Sequence, residues 1–326
     1  MALFHPLRGA DLKAGKSAPV PWVWEGMLAE GNVTLMTSLW KAGKSTLLAL
    51  LLARRHSGGD PLLDRLVQPG ASAVVSEEPA ELWRHRARHL DFGPNLSLYC
   101  RPFLGMPDRS LWLALIDQLA EEKTTHGVNL VAFDPLIYVL PCGENNAAAL
   151  REALDPLRRL TGLGMAVLLL HHPTKREAGA SKSARGTGAL PALADILLEL
   201  RRPTGNPSTY RRWLHGFSRY QETPREICAE LNITGTDYRV ISDQDVSDDF
   251  SANWDTIASV LSASGAPATR QELLGRWPEA LNLPHPATLW RWLKRAREIG
   301  VVVVTGKGTK LDPCRYELRM EEQKAG

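Results

Sequence analysis

The sequence predicts an α/β protein: a parallel sheet flanked by helices, with antiparallel strands appended and a small, mainly helical C-terminal domain behind it. Three observations carry this. A glycine-lysine turn joins an apolar strand to a leucine-rich helix; strand and helix patterns then alternate to about residue 170; and near residue 242 the chain turns acidic before becoming helical and basic.

Residues 1–30 lack a domain's length and form an N-terminal extension. Pro6, Pro19 and Pro21 punctuate it, and Trp22 and Trp24 are expected to pack against the edge of the core rather than to offer a stacking platform. A short apolar strand, Val33 to Met36, then runs into Thr37 to Thr46, T-S-L-W-K-A-G-K-S-T, and a helix from Thr46 to Arg55. The pattern G-x-x-x-x-G-K-[ST] is met at Gly43, Lys44 and Ser45, with Ser38 in place of the first glycine. Phosphate oxygens need several hydrogen-bond donors at once. A turn into a helix N-terminus supplies backbone N–H groups and the positive end of the helix dipole, while Lys44 adds an ammonium. The turn is read as a P-loop for ATP or GTP: Ser38, Lys41, Ala42, Gly43, Lys44, Ser45 and Thr46 line the nucleotide, and the Ser45 hydroxyl faces Mg²⁺. Serine tolerates a positive φ poorly, so the start of the loop is expected to take a different shape from the glycine version.

The next units are a strand Ser72 to Ser76, a helix from Ala80 to about Leu90, a strand Leu96 to Cys100 and a helix from about Asp108 to Lys123. A strand Val128 to Asp134, an amphipathic helix Asn146 to Thr161 and a strand Met165 to Leu170 follow. The extended stretches Asp195 to Leu200, Tyr210 to Ser218, Glu226 to Leu231 and Tyr238 to Ile241 read as antiparallel additions. Ligands of such sheets bind at the carboxyl ends of the strands, so polar residues there are candidates. Asp134, at the tip of L-V-A-F-D, has the Walker B pattern that holds Mg²⁺ directly or through its water. Glu77 directly ends its strand and is placed to deprotonate a water aimed at the γ-phosphate; Glu78, before Pro79, equally suits the start of the next helix, where the dipole favours acids. His171 and His172 end another strand, as reporters of the nucleotide or as structural histidines. The loop Thr174 to Gly188 is basic and glycine-rich: a solvated connection, or a segment that grips nucleic-acid backbone or a neighbouring subunit's phosphate.

Taken in order, the P-loop, Glu77, Asp134, His171-His172-Pro173 and R-G-T-G-A-L at Arg185 to Leu190, followed by Ala194-Asp195, resemble the RecA-type P-loop ATPases. The resemblance spans about Gly31 to Ile241 and is nearest to the branch of plasmid-encoded hexameric replicative helicases of the RepA kind, with DnaB helicases as cousins. It implies a RecA-like core, ATP with Mg²⁺, a homo-oligomeric ring such as a hexamer, and active sites at subunit boundaries. By that likeness Glu77 is the catalytic base, His172 the sensor, and Arg219 in F-S-R-Y a finger reaching a neighbour's nucleotide, ahead of Arg211 and Arg212. Ser38, and Trp40 and Lys41 within the loop, depart from the family's pattern.

Residues 242–251, S-D-Q-D-V-S-D-D-F-S, are read as an acidic linker between an ATPase domain at 31–241 and a domain at 252–320, with a tail at 321–326. Helices Trp254 to Ser264, Thr269 to Trp277 and Pro286 to Gly300, then strands Val301 to Thr305 and Arg315 to Leu318, resemble a winged helix. From Ser251 onward 11 Lys and Arg face 8 Asp and Glu, so this segment alone matches the +3 formal charge of the whole chain. The third helix carries Arg291, Lys294, Arg295 and Arg297 beside an apolar face of Leu289, Trp292, Leu293 and Ala296. That composition suits a recognition helix for double-stranded DNA with Lys307 and Lys310 on the wing, or a protein-docking module.

Composition narrows the field further. The 326 residues, 44% hydrophobic and 23% charged, suffice for real cores. No apolar run is long enough to span a membrane and the N-terminus lacks signal-peptide order, so a cytoplasmic location is expected. Cys100, Cys142, Cys228 and Cys314 have neither zinc-ligand nor disulfide spacing. The combined reading is an ATPase acting on DNA, single-stranded at the core loop and double-stranded at the winged helix. It is either a replicative helicase-like motor or an ATP-switched regulator or loader. A small-molecule kinase would leave the late strands and the basic C-terminal segment without a role.

Overall fold

The computed structural model describes residues 9, 19–143, 146–172, 189–202, 210–241, 243–278, 281, 283–284, 286–309 and 312–319. The basic loop 174–188, Pro173 and Lys310 lie outside them. Two short antiparallel strands come first, β1 (Trp22–Trp24) and β2 (Leu28–Ala29). They are followed by β3 (Val33–Thr37), α1 (Lys44–Ser57), β4 (Ala71–Ser76), α2 (Ala80–Arg86), β5 (Leu96–Cys100), α3 (Arg109–Thr125) and β6 (Val128–Asp134). A 3₁₀ turn (Leu136–Tyr138) leads to α4 (Ala147–Leu154), α5 (Leu157–Gly162), β7 (Ala166–His171), α6 (Ala189–Leu193), β8 (Ile196–Arg201), β9 (Arg211–Ser218), β10 (Glu226–Leu231) and β11 (Tyr238–Val240).

Strands β3 to β11 form one sheet in the order β11-β10-β9-β8-β3-β7-β6-β4-β5. The six from β8 to β5 are mutually parallel, and β9, β10 and β11 continue the sheet antiparallel. Alternate residues of each central strand enter different cores, because successive side chains leave a strand on opposite faces. Met36, Val74 and Leu168 join Leu47, Leu51 and Trp83 of α1 and α2. Leu35, Val75 and Leu169 join Trp112, Leu150 and Leu157 of α3, α4 and α5. Burial on both faces explains why these strands read as continuous apolar runs. From β3 the chain moves along the sheet to β4, whereas from β7 it passes back beyond β3 to β8. The crevice between those departures is where an open α/β sheet takes its ligand.

Three expectations are corrected. The helix expected over 146–161 is two helices, because Pro156 lacks an N–H and its ring excludes the preceding turn. The segment read as a linker, 242–251, is helical from 243 onward, in one helix α7 (Asp243–Ala263). Phe250, the one apolar core residue of that segment, continues by helical spacing the stripe of Trp254, Ile257 and Leu261 farther along α7. The core also begins before residue 31, since Trp24, Met27 and Leu28 are fully buried in the first cluster and Trp24 Nε1 donates to the Leu62 carbonyl at 3.1 Å.

Beyond α7 come β12 (Ala268–Thr269), α8 (Arg270–Gly275), α9 (Pro286–Glu298), β13 (Val302–Thr305) and β14 (Arg315–Leu318), with the three strands in the order β12-β14-β13. Thr269 caps α8 reciprocally with Glu272, at 3.3 and 2.7 Å. Ile257, Leu273, Leu289, Leu293, Ala296, Val302 and Tyr316 make a third core. The short strand β12 was not anticipated.

Candidate active site

Parallel pairing brings the chemistry to one edge. Thr37 of β3 pairs with His171 of β7, and Ser76 of β4 with Asp134 of β6. The residues that follow these strands, Ser38, His172 and Glu77, therefore leave the sheet on the same side as Asp134. The Ser38 N–H donates to the His171 carbonyl at 3.3 Å and the Glu77 N–H to the Asp134 carbonyl at 3.0 Å.

In the turn itself the left-handed residues are Lys41 (φ 58°) and Gly43 (φ 105°), and Ser38 is not among them. Ser38 thus avoids the positive φ that serine tolerates poorly, and its side chain has a task of its own. Lys44 is buried, and its ammonium donates to the Ser38 hydroxyl at 2.8 Å and the Ser38 carbonyl at 3.2 Å. Lys44 Nζ also lies 2.9 Å from His172 Nδ1, which places the ring proton on Nε2 when Nδ1 accepts. Burial pushes the Lys44 pKa down to about 8, with Asp134 opposing the shift. The Gly43 carbonyl accepts the first helical bond, from Leu47 at 2.9 Å, so the N–H groups of Gly43, Lys44, Ser45 and Thr46 have no intrahelical acceptor. Leu39 and Trp40 project from the turn, 55% and 75% exposed, and the Trp40 ring lies 5.8 Å from that of His172.

Asp134 is 3% exposed. The Ser45 hydroxyl lies beside its carboxylate, and Oδ2 is buried without a hydrogen-bond partner among the described residues. Burial, reinforced by Glu78, raises its pKa, against Ser45, Lys44 and Arg86. A buried carboxylate oxygen left unsatisfied beside a serine hydroxyl, at the mouth of a donor-rich turn, fits a hard divalent cation such as Mg²⁺ with phosphate on its far side. The two glutamates are sorted by their neighbours. Arg86 grips both oxygens of Glu78, at 2.9 Å on Oε1, and its guanidinium lies 4.8 Å above the Trp83 ring. Among the described residues no ion pair holds Glu77. Its pKa is raised, chiefly by burial and then by Asp134 and Glu78, with Arg101 opposing. Arg101 Nε meanwhile donates to the Glu77 carbonyl at 2.8 Å.

The three arginines considered for a finger are separated. Arg219 is exposed just past β9, whose antiparallel course pairs Ser218 with Ile196 and so carries Arg219 to the amino-terminal edge, away from its own P-loop. Arg211 bonds Glu230 at 3.2 Å. Arg212 is buried, and its Nε donates to the Ala42 carbonyl of the turn. Sequence reasoning missed Arg86, Arg101 and Tyr238. Only the spacing of Glu78 and Arg86, eight residues across the start of α2, hinted at a pairing.

No cluster of metal-ligating side chains occurs among the described residues, and none of their helices is long and apolar enough to cross a membrane. No curated protein matches the chain. A family model described as an AAA domain matches residues 3–178, more than half of the sequence, which takes in the P-loop, Glu77, Asp134 and His172. With the mixed, largely parallel sheet that places these residues together, the chain belongs to the AAA domain family of P-loop ATPases.

Proposed function

We propose that the protein hydrolyses ATP with Mg²⁺ at this sheet edge and applies the cycle to DNA, as a ring-forming motor of the replicative-helicase kind. The hydrolytic half rests above all on Asp134 Oδ2, a buried, unpartnered carboxylate oxygen beside Ser45 and Lys44. The orphan N–H groups of residues 43–46 and Lys44 bind the phosphates, and Ser45 and Asp134 hold the metal. Bound Mg²⁺ neutralises charge on the phosphates. Glu77 takes the proton of the attacking water as its oxygen joins the γ-phosphorus and the bond to the bridging oxygen breaks. Its raised pKa makes it a stronger base than an ordinary carboxylate. His172, on Lys44, senses the phosphate, and Arg219 serves a neighbouring subunit.

The DNA half rests on α9, α7, α8 and the β13–β14 hairpin, read as a winged helix. Leu289, Trp292, Leu293 and Ala296 are buried, leaving Lys294, Arg295 and Arg297 exposed on α9. Glu298 lies 3.8 Å from Lys294 and 3.9 Å from Arg295 and tempers that patch.

The test is ATP hydrolysis with and without single-stranded DNA, with the mass in solution in the presence of ATP, and Lys44→Ala as a control expected to lose nucleotide binding. DNA-stimulated hydrolysis by a larger assembly supports the proposal. Stimulation without strand separation selects an ATP-switched loader or regulator. Hydrolysis indifferent to DNA removes the DNA half, and absence of hydrolysis removes both.

A further inference from the structure

The antiparallel extension of the sheet reaches back to the phosphate-binding turn. Arg212, near the start of β9, is 6% exposed, and its guanidinium donates through Nε to the Ala42 carbonyl and through Nη1 to the Arg211 carbonyl at 2.7 Å. Arg202, just past β8, donates to the next carbonyl back, that of Lys41. The Ala42 N–H closes the turn on the Leu39 carbonyl at 3.3 Å. Tyr238 of β11 completes this wall. Its buried hydroxyl has no hydrogen-bond partner among the described residues and would lie 3.3 Å from a Cβ at Gly43, with Arg212 Nε at 3.4 Å. Together with φ 105°, this contact explains why glycine stands at position 43.

We propose that Arg212 is a positioning residue for the P-loop of its own chain: by holding the Ala42 carbonyl it aims the Gly43 N–H at the nucleotide's phosphates. The argument is one of peptide geometry. Across a trans peptide the C=O and N–H point in opposite directions, and the Ala42–Gly43 bond is trans. A donor that fixes the Ala42 oxygen on the β9 side therefore turns the Gly43 N–H away from β9. A cation on the carbonyl also polarises the peptide, making that N–H a better donor to an anion. Arg202 acts one peptide earlier by keeping the Leu39–Ala42 turn closed. The role is distinct from that of a finger. Arg212 reaches the turn's backbone rather than a phosphate, and it serves its own subunit. The inference rests on reading the turn as the nucleotide site, and it gives the antiparallel strands a function in that site.

The test compares the full-length parent with Arg212→Met, which fills the buried volume without a donor, and with Arg212→Lys, which keeps one. ATP affinity is measured by calorimetry. The Gly43 amide is followed by NMR in protein carrying ¹³C-carbonyl alanine and ¹⁵N-glycine, a labelling that reports only Ala–Gly pairs. ATP is expected to move the parent's Gly43 proton downfield. In Arg212→Met that movement shrinks and ATP binds about tenfold more weakly, as for loss of one charge-assisted hydrogen bond, while Arg212→Lys restores most of both. Arg202→Ala, an exposed change, is expected to move the same amide in the same direction by less. A folded Arg212→Met with the parent's affinity and the parent's Gly43 shift overturns the inference and leaves the nucleotide site standing. A parent that does not bind ATP overturns the nucleotide site and the inference with it.

Discussion

Each edge of the central sheet buries a cation, and the two are treated in opposite ways. At the amino-terminal edge Arg55 of α1 is 2% exposed and places four of its five N–H donors on named acceptors. Nε reaches the Ser72 hydroxyl at 2.8 Å, Nη1 the Gln68 carbonyl at 3.0 Å, and Nη2 the Ala71 carbonyl at 3.2 Å together with Asn129 Oδ1. Asn129 in turn donates to Glu30 at 2.7 Å. Gly70 lets the guanidinium come this close, since a Cβ there would sit 2.6 Å from Nη2. At the carboxyl edge Lys44 rests on Ser38 and His172, and Asp134 keeps one oxygen unpartnered in the same interior. Burial lowers the Arg55 pKa only to about 10, which leaves it charged at neutral pH, whereas Lys44 is brought down to about 8. A satisfied buried charge is architecture. A buried charge short of partners is held ready for a ligand, at some cost in stability.

The largest expected effect breaks the satisfied edge. Arg55→Ala strands Ser72, Asn129 and Glu30, and is expected to cost about 3–5 kcal/mol in urea denaturation while leaving the ATP affinity of the folded protein unchanged. A loss of affinity without a loss of stability would contradict the division between the edges. At the other edge the sign reverses. Asp134→Asn removes a buried charge whose Oδ2 has no hydrogen-bond partner among the described residues, so the nucleotide-free protein is expected to gain about 1–2 kcal/mol at neutral pH while losing Mg²⁺-dependent hydrolysis. The folded pKa of Asp134 lies above its unfolded value, so its penalty grows as pH rises from the unfolded pKa and is complete above the folded one. The gain should therefore shrink toward acid pH, and a gain that grows on acidification would refute the assignment.

A smaller effect sharpens the contrast between the two cations. With its pKa near 8, Lys44 is largely neutral at pH 8.5 before nucleotide binds, and phosphates restore its charge. Binding of Mg·ATP is expected to take up more of a proton at pH 8.5 than at pH 7. Calorimetry in buffers of different ionisation heat measures this, and uptake equal at both pH values would mean that Lys44 is not the group being recharged.

Much of this edge was legible because its parts are local. The P-loop is contiguous, and the strands Leu96–Cys100, Val128–Asp134, Glu226–Leu231 and Arg315–Leu318 end where their apolar patterns end. Asp134 and Glu77 stand at such ends. What could not be read is the set of contacts made across the sheet. Arg212 lies 170 residues from Ala42, and its sequence neighbourhood, two arginines opening a strand, offers no sign that one of them turns back onto the P-loop. Arg55 looks like an ordinary basic residue in the last turn of a helix, since its partners come from two other strands. The start of α7 does not read as helix because Phe250 is the one core residue amid its acidic run, and the apolar stripe it belongs to continues only from Trp254. Trp24 was placed at the core's edge and lies fully within it, because its indole N–H finds the Leu62 carbonyl.

The most direct test of the unsatisfied edge as a hydrolytic site is ATP turnover at saturating Mg·ATP in Glu77→Gln and Glu78→Gln, with ATP affinity measured alongside. Glu77 carries a raised pKa beside Asp134, while Glu78 is neutralised by Arg86. Glu77→Gln is expected to bind ATP as the parent does and to hydrolyse it roughly 10² or more slower, with Glu78→Gln much less affected. Turnover by Glu77→Gln at the parent's rate would contradict the account.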